Sequence, residues 1–476
     1  MVRIKKSITE GPMFWQIFAF AVPLMLTGIL QLVYNMADHI IVGRFSGDTT
    51  AIAAVGSTAS LTTLIINFIV GIAAGASVVI AQFYGAKDEK RVSRSSHTAM
   101  TLSVIGGVVF GAIGLAMSEP VLTLMGTKSE VLPGAVLYFR IICLGVPAQS
   151  IYNFGAAILG AVGDTKTSLV ILTCTGIVNV ALNLMFVILC DMSVDGVALA
   201  TVISQYLSAI AIFAVLVIKR GESYGISLKK YSFDFKIFAR MLKLGIPSGI
   251  QGSVFSLSNI LITAAANTFP TEVVTAKTIA GNIDGVTYMS MNCFLQASMT
   301  FTAQNYGANK PNRVKKAYFY SIAQVAIVGI AVGAIELVFM KQLASIFISV
   351  SDPNREIIID YVCQIMIIIL STYFLCGIMD VSQGALRGLG YSVSSMITIL
   401  VGVCGLRAVW ILAIFPLEPF NNIQGLMVCY PATWIPTIIA LAIQIVFAWR
   451  KNLRFMPSDD SSAANNSEEP IAAEVN

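Results

Sequence analysis

Charge is what this sequence has least of. Only 12% of its 476 residues are Asp, Glu, Lys or Arg, about half the share found in soluble domains, which excludes an ordinary water-exposed globule. Histidine is scarcer still: His39 and His97 are the only two, and they form no metal pair. The eight cysteines (Cys143, Cys174, Cys190, Cys293, Cys363, Cys376, Cys404 and Cys429) never adopt C-x-x-C spacing, and each falls inside or at the rim of an apolar run. That pattern excludes a disulfide framework and a zinc site. "GAVGDTKT" (160–167) fails the spacing of a phosphate loop. With no nucleophile, base or metal constellation in view, neither an enzyme nor ATP hydrolysis is expected, and no cofactor. The basic clusters adjoin apolar runs and lack interleaved aromatics, which excludes a nucleic-acid partner.

What remains is apolar length, since 56% of the residues are hydrophobic. Runs near 20 residues or longer, enough to cross a ~30 Å hydrocarbon core as helix, are read at 14–42, 51–82, 97–118, 131–160, 167–190, 195–218, 237–266, 272–304, 314–340, 355–386, 391–415 and 421–449. The first is too long and too weakly bounded for a cleaved signal peptide and is read as an uncleaved span. Basic residues fill alternate loops, from Lys5 and Lys6 through Lys87–Arg94, Lys166, the Lys219–Lys243 stretch, Lys310–Lys316 and Arg387 to Arg450–Arg454. The other loops hold only Arg44, Lys128, Lys341 and Arg355, so twelve spans with both termini cytoplasmic satisfy the positive-inside rule. Arg140, Lys277 and Arg407 fall inside the spans on this map. The tail after Pro457 is polar and acidic, and is expected to be disordered.

The chain also repeats itself. "AVPLMLTGILQLVYN" (21–35) parallels "GIPSGIQGSVFSLSN" (245–259), "AQFYGAKDEKRV" (81–92) parallels "AQNYGANKPNRV" (303–314), and "ILGAVGDTKTS" (158–168) parallels "ALRGLGYSVSS" (385–395). Three matches in one order at equivalent places define a parallel repeat of six spans. The expected fold is an all-α integral membrane protein of twelve transmembrane helices, in two pseudo-symmetric six-helix lobes around a central cavity. The boundaries are 1–218 for the first lobe, 219–236 for a cytoplasmic linker, 237–455 for the second lobe and 456–476 for the tail.

Asp38, in "YNMADHI", stands near the far end of the first run, where a carboxylate costs about 2.5–3.5 kcal/mol at a helix centre. Either local hydroxyls and the interface satisfy it, or it faces a polar site. In the fifth span Asn179 and Asn183, four residues apart, share one helical face, and Thr201 of the sixth span falls at similar depth. One anion with amide and hydroxyl oxygens suits a sodium ion, and the same aspartate could instead take a proton. Asp284 and Asp380 are the other intramembrane acids; they either face a cavity or pair with a base such as Lys277 or Arg407. Met289 and Met291 offer a soft wall to ligands or simply pack. Tyr34 and Asn153 are further cavity candidates. Pro23, Pro147 and Pro247 should kink or loosen their helices, and Pro23 and Pro247 are the helix-bending candidates.

The proline-bearing first helix with "YNMAD", the "AQ-x-YGA…RV" loop in both halves and "ALRGLG" in the tenth span resemble the multidrug and toxic compound extrusion (MATE) family over nearly the whole chain. The resemblance implies a secondary antiporter, working as a monomer in the cell inner (plasma) membrane, that exports amphipathic, cationic organic compounds in exchange for H+ or Na+. It also implies cation coupling at Asp38, Asn179, Asn183 and Thr201. Asn183 departs from the family's fifth-helix "N-x-x-x-D", leaving Asp38 as the one certain charge. The alternative is a flippase for lipid-linked precursors, which the wider superfamily also contains.

Overall fold

Polar backbone inside a bilayer must be hydrogen-bonded within its own segment, and every long apolar run here is helical. The structure, a computed structural model, describes residues 8–45, 51–229, 231–349, 352–454 and 456, with the side chains there except those of 35, 39, 40, 42–45, 51 and 52. The polar tail beyond Met456, Arg3, Lys5, Lys6, Lys230 and the side chains of Asn35, His39 and Arg44 lie outside the described residues.

The first half runs through α1 (Met13–Phe45), α2 (Ala51–Gly85), α3 (Glu89–Leu124), α4 (Leu132–Ala161), α5 (Thr165–Leu184) with a π-helical turn (Met185–Leu189), and α6 (Val194–Ile218). The second half runs through α7 (Phe235–Ala266), α8 (Thr271–Gly307), α9 (Pro311–Val338), the short α10 (Met340–Phe347), α11 (Arg355–Gly388), and α12 (Ser392–Ile399). A π-helical stretch (Leu400–Gly405) follows, then α13 (Leu406–Val409), a second π-helical stretch (Trp410–Ile414) and α14 (Ile423–Asn452).

Eleven of these rods are long and apolar enough to cross a membrane. Among the long helices described the exception is α8, which has 37 residues and is long enough but too polar. Its polarity has a place to go: α8 packs on α1, α2, α9 and α11, and its Thr287, Ser290, Ser298, Thr300, Thr302, Gln304 and Asn305 are buried in protein rather than turned to lipid.

The repeat is visible in the backbone. Lys87 and Asn309, at matching places in the "YGA" loops, both take positive φ (57° and 54°), and Gly163 and Gly390 match at 92° and 94°. The "YGA" loops meet at the end of the molecule where most of the basic residues gather, called the basic end below. There Gly85 lies so close to the Gln304 carbonyl, and Gly307 to the Gln82 carbonyl, that a Cβ on either glycine would overlap that oxygen. Gln82 donates to the Gly388 carbonyl (2.9 Å) and Gln304 to the Ala161 carbonyl (2.5 Å), so each glutamine ties its half to the other. Deeper in, α2 crosses α7 with backbones touching at Gly71–Gly249 and Gly75–Gly245, a small-residue contact typical of membrane helices. Pro247 sits between the two crossing glycines of α7.

Helix α1 belongs to both halves. Its first turns join the second half's core through Met13, Ile17 and Phe20; Phe20 meets Phe301 edge-on at 5.7 Å, and Gln324 donates to the Phe14 carbonyl at 2.6 Å. Its far end packs on α5. Pro23 lies between these attachments, and the Thr27 hydroxyl donates to the Pro23 carbonyl at 2.8 Å.

The segment between the halves is docked rather than free. Tyr224 and Ile226 are buried, Ser227 N–H donates to His97 Nε2 at 3.0 Å, and Asp234 N–H donates to Thr98 Oγ1 at 3.2 Å. Lys219 reaches Asp164 at 2.7 Å. Asp164 is also the N-cap of α5, accepting from the Thr167 backbone (3.2 Å) and hydroxyl (2.9 Å). Burial acts to raise the Asp164 carboxyl, but the Lys219 and Thr167 bonds outweigh it and hold it below the usual carboxylate range. A folded-state pKa depressed in this way contributes stability that is present above the unfolded value and is lost as pH falls through the folded one. Asp164→Ala should therefore cost about 1–2 kcal/mol at neutral pH. The difference in thermal unfolding between variant and wild type should vanish in acid below the usual carboxylate range; a difference that persists there would refute the ionic contribution.

Candidate functional site

Three of the four expected cation-site residues are joined. The Asn183 amide, buried on α5, donates to Asp38 Oδ1 of α1 at 2.5 Å and to Asn179 Oδ1 at 3.3 Å. The i, i+4 spacing that puts both asparagines on one face of α5 thus turns that face to α1. Asn183 Oδ1 is buried without a hydrogen-bond partner, and so is the Thr201 hydroxyl of α6, the helix packed beside α5. Thr201 makes no hydrogen bond to the other three. A carboxylate and unsatisfied amide and hydroxyl oxygens are hard donors, suited to a proton or a small cation.

The cavity candidates separate. Tyr34 packs against Gly176 of α5, and its hydroxyl donates to the Thr173 carbonyl at 3.3 Å. Asn153 donates to the Gln149 carbonyl one turn back at 2.8 Å. Met289 lies against Gly28 of α1 between the halves, and Met291 is buried with its sulfur against Gly329 and Gly377. Asp380 is buried on α11 beside Asn292 and Arg387. Asp284 is different: it lines a cavity of about 240 Å³ in the second half with Asn259, Lys277, Tyr373, Arg407 and Tyr430.

Neither intramembrane acid of the second half forms an ion pair among the described residues. Lys277 instead donates to Thr263 Oγ1 at 2.9 Å, and Arg407 to Asn259 Oδ1 at 2.9 Å. Arg140, placed within a span by sequence, is half-exposed and reaches Glu119 and Ser118. Arg387, assigned by sequence to a cytoplasmic loop, is instead buried in the last turn of α11 and donates to Gln251 Oε1 at 2.9 Å. Glu336 escaped the sequence reading altogether: it is buried on α9 beside Thr287, within electrostatic reach of Asp284. The signal was present, a single acid near the end of an apolar run, as for Asp38.

The MatE family model matches residues 23–185 and again 247–413, one match in each half. The probable multidrug resistance protein YoeA of Bacillus subtilis is 28% identical over 464 residues, covering 95% of this chain and 97% of its own. The probable multidrug resistance protein NorM of Thermotoga maritima is 26% identical over 401 residues, covering 82% of each chain. A structure described as the outward-facing conformation of a multidrug resistance MATE family transporter of the MOP superfamily superposes with a TM-score of 0.84 at 22% identity, covering 98% of this chain and 99% of that one. The chain belongs to the MATE family and is a multi-pass membrane transporter, not an enzyme.

Proposed function

We propose that this protein is a monomeric secondary antiporter of the cell inner (plasma) membrane that exports amphipathic, cationic organic compounds in exchange for H+ or Na+. The carrying observation is the 2.5 Å bond from Asn183 to Asp38 beside two orphaned oxygens, Asn183 Oδ1 and Thr201 Oγ1. On this reading the basic end is cytoplasmic, both termini lie there, and the two lobes (1–218 and 237–455) are joined by the docked segment 219–236. Twelve helices span the bilayer, α8 being the polar one.

Entry of one cation under an inward-negative potential supplies ~2.3 kcal/mol per 100 mV. A proton on Asp38 removes the charge that the Asn183 amide binds; a sodium ion would draw on Asp38, the two asparagine oxygens and Thr201. Either event changes the hold of α5 on the far end of α1, while the near end of α1 stays fixed to the second half. Pro23 lies between, so a change at Asp38 alters the bend of a helix that both halves share.

The test is uptake of a fluorescent cationic dye into everted vesicles or proteoliposomes under separately imposed proton and sodium gradients. One gradient should drive accumulation against the dye's own gradient and the other should not. Equal, gradient-independent equilibration would overturn antiport.

A further inference from the structure

The cavity of the second half carries a chemistry that the cation site of the first half does not explain. Arg407 is fully buried, and a guanidinium cannot shed its proton to escape the cost. Its guanidinium carbon lies over two aromatic rings, 4.9 Å from the centroid of Tyr430 and 5.6 Å from that of Phe255, which favours a cation but supplies no counter-charge. Its Nη1 is held by Asn259 Oδ1 at 2.9 Å and Ser258 Oγ at 3.3 Å. Its Nε and Nη2 are buried with no partner. Those two nitrogens form one edge of the guanidinium, where two parallel N–H groups match the two oxygens of a carboxylate. Asp284 shares the cavity but makes no ion pair with Arg407.

The rest of the wall is suited to a ring. Tyr373 and Trp434, both lining residues, stack at 5.7 Å with planes 16° apart, and they offer apolar bulk beside the charged edge. Lys277 adds a second cation. About 240 Å³ is room for a ligand of one or two rings.

The repeat makes the contrast sharper. Continued in the register that matches 158 with 385, Asn179 falls opposite Leu406, the neighbour of Arg407. Where the first half has an amide beside a carboxylate, the second half has a permanent cation. π-helical stretches flank Arg407 on both sides, a local rewinding found often at functional sites.

We propose that the second-half cavity is a binding site for aromatic organic acids, with the ligand carboxylate on the Nε and Nη2 edge of Arg407 and its ring against the aromatic wall. It extends the transporter reading by adding a cargo class of opposite charge; binding itself is independent of that reading.

The test is calorimetric binding to the full chain in phosphatidylcholine nanodiscs, against empty nanodiscs, with three probes that share one ring: indole-3-acetate, tryptamine and 3-methylindole. Indole-3-acetate should bind at least tenfold more tightly than tryptamine. Arg407→Gln should weaken the acid at least tenfold and leave 3-methylindole unchanged. Equal or tighter binding of tryptamine to wild type, or unchanged acid binding by Arg407→Gln, would overturn the proposal. If Arg407→Gln does not fold, the wild-type ranking of the probes decides alone. Acid binding without gradient-driven dye transport would sink the antiport reading and leave this site standing; dye transport without acid preference would do the reverse.

Discussion

Asp38→Asn is expected to reduce gradient-driven export to the level of empty liposomes while leaving the protein folded. The side chains have the same shape, and the Asn183 amide can still donate to an oxygen at position 38, so the α1–α5 contact survives as a neutral bond. Exchanging a charged acceptor for a neutral one costs about 1 kcal/mol, too little to unfold a protein of this size and small beside the coupling that is lost. The variant has no group of variable charge among Asp38, Asn179, Asn183 and Thr201, so the ion gradient has nothing to act on. Thermal unfolding in detergent and dye export from proteoliposomes should therefore part company: melting near wild type, export at background. Undiminished export by the variant would remove Asp38 from the coupling role. Collapse of melting together with export would make Asp38 a structural residue.

The second large effect is expected at the basic end. Gly85→Ala or Gly307→Ala places a methyl group on the carbonyl oxygen of Gln304 or Gln82. Those oxygens are backbone, so neither can swing aside as a side-chain end would. Relieving the overlap requires the "YGA" loops to part, and overpacking of this kind costs about 1–3 kcal/mol. Conformations of a transporter lie within a few kcal/mol of one another, so each 1.4 kcal/mol shifts the balance tenfold. Export should fall at least tenfold, and spin labels at Lys90→Cys and Lys316→Cys should report a longer separation than in the parent protein. Because one movement relieves both overlaps, the double variant should be little worse than either single one. An unchanged separation with normal export would show that the loops yield locally and that the close contact does not govern opening.

Much of this architecture was legible because apolar length and repeated motifs are local signals. The three repeat matches located the loops that carry matching φ angles, and one carboxylate in an apolar run with an i, i+4 asparagine pair picked out the residues that α1 and α5 bring together. What was not legible depends on contacts between distant segments. The burial of Arg387 follows from Gln251 on the neighbouring α7, and no property of "ALRGLG" alone separates a loop arginine from a buried one. The docking of the inter-half segment draws in part on His97, whose role is set by a backbone N–H 130 residues away. The allegiance of α1 to the second half's core was likewise invisible, since its apolar pattern is the same on every side. The cavity around Arg407 required the same kind of information: sequence placed the arginine in a span, but only packing shows which of its donors are taken.

The contacts at the basic end have one more consequence. Gly85 against Gln304 and Gly307 against Gln82 are a single contact made twice with the partners exchanged, the signature of an isologous interface between two like subunits. Had the halves been separate chains of one sequence, every residue would have appeared on both sides of that axis, and a carboxylate in one pocket would have been a carboxylate in the other. Joined in one polypeptide, they share the interface that needs symmetry and are free of it elsewhere. Asp38 on one side and Arg407 on the other are what that freedom permits.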